Sequence, residues 1–113
     1  MAILSKAEIF ATDDRKYDDV PCPEWGGEVR VRGLTASEQS VISRLIFEEK
    51  KNEISMKVVQ FGCVDENGER LFSQKDLDAL GKKAYPIIDR LGRRIMQLTG
   101  SGDENEIEEA KKN

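Results

Sequence analysis

No histidine occurs among the 113 residues, and cysteine appears only twice, as Cys22 and Cys63. Zinc sites draw on sets of Cys and His, and the common hydrolase arrangements need an imidazole base, so both classes fall together. The chain also lacks a glycine-rich phosphate loop, a cysteine beside a base and any obvious cluster of carboxylates. No residue is left with a catalytic role, and no metal or cofactor is expected. No apolar run approaches the ~18–20 residues that span a bilayer. Lys6 and Glu8 interrupt the apolar positions of the first ten residues, unlike a signal peptide. The expected setting is therefore the cytoplasm of the cell that makes the protein, where two reduced thiols are favoured over a disulfide. Cys63 reads as a small core residue and Cys22 as partly exposed on a strand.

Neither sign of charge dominates. Asp and Glu number 22 against 18 Lys and Arg, for a net charge of −4. That surface is mixed and gives no electrostatic case for a nucleic-acid or anionic-membrane partner. A chain of 113 residues allows one domain with a modest core.

The chain is organised around Pro23-Glu24-Trp25-Gly26-Gly27-Glu28-Val29-Arg30-Val31-Arg32-Gly33-Leu34-Thr35-Ala36-Ser37-Glu38, in which a turn becomes a strand and the strand feeds a helix. Gly26-Gly27 tolerates positive φ just after the only tryptophan. Val29 and Val31 then alternate with Arg30 and Arg32, giving one apolar face and one wet face. Thr35-Ala36-Ser37-Glu38 is a capping box, so a helix starts at Ala36. Upstream, residues 17–22 can be extended, with Pro21 and Pro23 confining them to an edge or an irregular strand. Paired with 28–32 they form a hairpin, and Trp25, Val29 and Val31 must then pack against helices.

Ser5-Lys6-Ala7-Glu8 is a second capping box and predicts a first helix of about two turns. The helix from Ala36 to about Lys51 carries Val41, Ile42, Leu45, Ile46 and the aliphatic part of Glu49 on one stripe. Phe47 falls on the opposite face. Either the helix frays or the hairpin covers it, or it is an exposed aromatic anchor for a protein partner. Residues 53–64 carry two opposed stripes, Ile54-Val58-Phe61 and Met56-Val59-Cys63, and read as a central helix, with a strand as the alternative. Asp65-Glu66-Asn67-Gly68 has no EF-hand continuation and reads as a turn with Gly68 at positive φ. Leu71-Phe72 should fold back on the core, and Ser73 to Asp76 should cap a short helix holding Leu77 and Leu80 and ending at Gly81.

The clearest periodicity lies in 83–98, where Ala84, Ile87, Ile88, Leu91, Ile95 and Leu98 form one stripe. The opposite face carries Lys82, Lys83, Arg90, Arg93, Arg94 and Gln97 against Asp89. It is either a solvated face or a docking surface for an acidic segment. Beyond Gly100, Asp103, Glu104, Glu106, Glu108 and Glu109 surround a single large hydrophobe, Ile107, so 101–113 is expected to be a flexible acidic tail. The expected fold class is therefore α+β and mainly helical: one domain over 1–100 with a hairpin at about 17–32, followed by that tail.

The run PEWGG-x-VRVRGLTA-x-E resembles the N-terminal part of the tail assembly chaperones of long-tailed, siphovirus-type bacteriophages. The likeness continues through Val64-Asp65-Glu66-Asn67-Gly68-Glu69-Arg70-Leu71-Phe72, Leu77-Asp78-Ala79-Leu80-Gly81 and the acidic finish at Lys112-Asn113, and so spans 3–113. The resemblance implies a small, helical, self-associating protein, encoded by a phage or prophage, that keeps the tape measure protein soluble and recruits tail tube subunits. It also implies residence in the host cytoplasm and absence from the finished virion. It supplies no short binding motif, so Trp25, Phe47, Lys83, Arg90, Arg93 and Arg94 are candidate partner-binding residues on structural reasoning alone. The alternatives are a minor tail or connector subunit of the virion and a small DNA-binding regulator.

Overall fold

The structure is a computed structural model that describes residues 2–100; the predicted acidic tail lies outside the described residues. The elements run α1 (Lys6–Ala11), β1 (Tyr17–Cys22), a 3-10 turn (Pro23–Trp25), β2 (Gly27–Arg32), α2 (Ala36–Phe47), α3 (Lys51–Gly62), β3 (Cys63–Val64), a second 3-10 turn (Gln74–Asp76), α4 (Leu77–Leu80) and α5 (Tyr85–Thr99). This is the mainly helical α+β arrangement that the patterning predicts.

The hairpin pairs in full register from Tyr17↔Arg32 to Cys22↔Gly27. Its turn closes through the Gly26 N–H on the Pro23 carbonyl at 3.1 Å, with Gly26 at φ 83°. That left-handed conformation is the reason for glycine there. A third strand that the sequence did not announce joins on the far side of β2, pairing Val31↔Cys63 and Arg30↔Val64. Residues 51–62 are helical, as favoured, but the last two residues of the ambiguous stretch are extended. The Cys63 N–H makes the last helical bond, to the Val59 carbonyl, and from Cys63 on the backbone is extended and pairs with β2.

Both capping boxes form, at Ser5/Glu8 and at Thr35/Glu38, and a third closes at Ser73/Asp76. Helix α5 packs on β1, β2 and α3, and α3 also packs on α2 and α4, which puts α3 in the middle of the fold. Ile42, Val59, Leu91, Ile95 and Val31 are fully enclosed there. Each such aliphatic contributes on the order of 1.5–3 kcal/mol by leaving water.

Five local expectations change. Cys22 is buried, because alternation along β1 aims it with Val20 at the core. Arg32 is buried rather than wet: it ends β2 under the Asp65–Gly68 turn, where its Nη1 donates to the Gly68 carbonyl at 2.6 Å. Helix α2 stops at Phe47, because Glu49 takes φ 59° and the Lys50 N–H reaches back to the Leu45 carbonyl at 2.9 Å. Ile46, expected on the buried stripe, is consequently 53% exposed beside the helix end, and Glu49 lies outside the helix. Leu71 stays 46% exposed while its neighbour Phe72 packs on the core. Lys83 and Ala84 precede α5, which begins at Tyr85, so both are exposed turn residues and not parts of its stripe.

Candidate protein-binding surface

The basic residues of α5 meet the acidic residues of the hairpin. Arg90 grips Glu24 with both terminal nitrogens, at 2.9 and 2.6 Å, and also donates to the Pro21 carbonyl at 3.2 Å. Those hydrogen bonds hold the Glu24 carboxyl far below its ordinary range, at about 2, and raise the Arg90 guanidinium. Arg94 donates to Asp18 at 2.7 Å and to Gln97 at 3.2 Å, and Arg93 to Asp89 at 2.8 Å. Trp25 closes the 3-10 turn next to Glu24 and is 36% exposed. Trp25, Arg90, Arg93 and Arg94 thus gather along the seam between hairpin and α5, where carboxylates of the same chain engage the three arginines.

Phe47 sits elsewhere, at the C-terminal end of α2, and is 88% exposed. The left-handed Glu49 turns the chain just past it, so Ile46 and Phe47 project together from the α2–α3 corner. Lys83 occupies a third place, in the turn between α4 and α5, where its N–H bonds the Leu80 carbonyl at 3.0 Å. It borders a groove of about 390 Å³ lined by Met56, Leu80, Gly81, Tyr85 and Ile88.

The sequence reading missed a further exposed apolar surface, at the N-terminal end of the chain. Helix α1 buries none of its residues, and Ile3, Leu4, Ile9 and Phe10 are all exposed. The helix holds itself up locally. The Ser5 N–H donates to the Glu8 carboxylate and the Glu8 N–H to the Ser5 hydroxyl, at 3.2 Å each, and Leu4 and Ile9 occupy the positions of a hydrophobic staple. The staple fixes how the chain enters the helix, and nothing in it tells whether the helix packs on a core.

A different polar cluster is structural. Glu38 is buried and accepts from the Thr35 N–H at 2.9 Å and from Arg70 at 2.6 Å, and the Arg70 guanidinium lies 4.5 Å from the Phe61 ring centre. Burial pushes the Glu38 carboxyl up, but the Thr35 amide and Arg70 together outweigh it and bring it below its usual value. Burial and the neighbouring Cys22 raise the Cys63 thiol to about 12, which leaves it a protonated core group at neutral pH. Among the described residues no group of His, Cys, Asp and Glu could hold a metal ion, and no helix is long and apolar enough to cross a membrane.

Fold and surface together define a small, mainly helical protein whose distinctive features, among the described residues, are exposed apolar projections. Among solved structures, the chain shares its fold with the tail assembly chaperone of bacteriophage HK97, at a TM-score of 0.65 and 16% identity over 77% of this chain and 84% of that one. The likeness is one of fold, and it falls on the same class that the residues of the hairpin and the 64–72 turn resemble. No protein-family model and no curated protein sequence matches the chain.

Proposed function

We propose that this protein is a phage tail assembly chaperone, which binds the tape measure protein and helps recruit tail tube subunits through protein–protein contacts alone. One observation carries the reading: a fold shared with a known tail assembly chaperone presents large apolar side chains that nothing among the described residues covers. Ile3, Phe10, Ile46 and Phe47 suit the apolar faces of a long helical client, and the charge of −4 keeps such a complex in solution. Trp25 and the α5 arginines serve this role less directly, since the clamp to Glu24 and Asp18 first holds the hairpin in place. The setting is the host cytoplasm during assembly.

Co-expression with the tape measure protein of the same genome tests the proposal. The expected result is a soluble client that co-purifies with this chain. If the client precipitates to the same extent with and without it, and the protein is found in intact particles, the chaperone reading fails and a structural subunit replaces it.

A further inference from the structure

We propose that α1 is a donated arm: Phe10 of one copy seats in the groove between α3, α4 and α5 of a second copy, linking chains head to tail. The arm buries none of its residues on its own core, and Phe10 and Ala11 only border an open cavity shared with Leu34 and Leu98. A six-residue helix is far below the length that is stable alone in water. Its capping box and staple pre-shape it, and the lacking component is an apolar seat.

The same chain carries an unfilled seat. Leu80 and Ile88 form its buried floor, Met56 is an adaptable wall, and Tyr85, 67% exposed at the first position of α5, is a rim that nothing among the described residues covers. A Cβ at Gly81 would lie 3.3 Å from the Met56 sulfur, so the absence of a side chain there keeps the groove open. At about 390 Å³ it is of a size to take one aromatic side chain with its neighbours. The charges around the two parts are complementary. The exposed Lys82 and Lys83 flank the groove, while within four residues of Phe10 the exposed acids Glu8, Asp13 and Asp14 outnumber the single base, Lys6.

Knob and seat are different surfaces of one molecule, so the contact is heterologous and propagates into rings or short chains instead of closing as a two-fold dimer. This contact goes beyond the proposed function, and it stands on residues of this chain without reference to any client.

The test uses the full-length chain alone and two variants with substitutions on opposite sides of the contact, Phe10→Asp and Tyr85→Glu. Both positions are exposed, so each variant is expected to keep the native circular dichroism spectrum. Light scattering behind size exclusion should show concentration-dependent oligomers for the unmodified chain and monomers for each variant. An equimolar mixture of the two should give a 1:1 heterodimer and stop there, because one intact arm then meets one intact groove. The proposal is overturned by a monomeric unmodified chain, by oligomers that survive Phe10→Asp, or by variants that do not pair when mixed. A monomeric chain that nevertheless loses client solubility on Phe10→Asp would assign the arm to the client and leave the proposed function standing.

Discussion

Gly62→Ala is a small change with a calculable consequence. A Cβ at this last residue of α3 would lie 2.5, 2.6 and 2.6 Å from Cδ1, Cγ1 and Cγ2 of Ile95 on α5. Carbon atoms prefer about 3.5–4.0 Å, so the overlap is on the order of 1 Å against both branches of the side chain. A rotamer change only exchanges one clashing branch for the other, and Ile95 is fully enclosed. Overpacking of this kind costs about 1–3 kcal/mol. Alanine returns less than ~1 kcal/mol of helix propensity at a helix end. The net expectation is a loss of about 1–2 kcal/mol, or roughly 5–15 °C in Tm for a domain of this size. Urea and thermal unfolding followed by circular dichroism measure it. Ile95→Ala alone should cost about 2–5 kcal/mol. In the double variant the methyl added at position 62 enters the space that Ile95 vacates, so the combined loss should fall short of the sum by about 1 kcal/mol or more. Strict additivity, or a Gly62→Ala protein as stable as the parent, would refute the close approach of α3 to α5.

Three further outcomes follow from the same geometry. Glu38 has a lowered carboxyl pKa in the fold, so its contribution is complete above the ordinary value of 4.5 and is lost as pH falls through the folded value; Glu38→Gln should flatten the acid limb of a stability–pH profile, and Glu38→Ala should cost about 1–2 kcal/mol through the lost capping box. Glu49→Gly should stabilise the protein by about 0.5–1 kcal/mol in urea unfolding, because glycine takes the φ of 59° without strain. Phe47→Ser should leave unfolding within about 0.5 kcal/mol of the parent while lowering the fraction of tape measure protein that stays soluble on co-expression.

Much of the fold was legible because its signals are local. Capping boxes at Ser5, Thr35 and Ser73 name three helix starts by side-chain chemistry, and the alternation of Val29 to Arg32 with the Gly26 turn announces the hairpin. The failures share a physical cause. Whether Arg32 is wet depends on a turn some thirty-six residues downstream that places the Gly68 carbonyl over it. The end of α2 rests on a glutamate in a left-handed conformation, a role that its side chain does not advertise. The candidate residues divide along the same line. Phe47 could be placed by helical phase alone, whereas the pairing of Arg90 and Arg94 with Glu24 and Asp18 spans more than sixty residues and is invisible to periodicity. The α1 arm was found as a helix but not as a surface, since the absence of a packing partner leaves no trace in the pattern of the arm itself.

The rim of the small sheet bears on how a protein can work beside an aggregation-prone client without joining it. An open strand edge is a template for further strands, and polymers grown that way are hard to reverse. Here β1 carries Pro21, which has no amide hydrogen to donate and whose carbonyl is already taken by Arg90. On the other side β3 is two residues long before the chain bends away to bridge Val64 with Arg70. Neither border offers the run of free backbone groups that strand addition requires. In the proposed role, association is thereby left to side chains on helices, and contacts of that kind are released more readily than a paired strand.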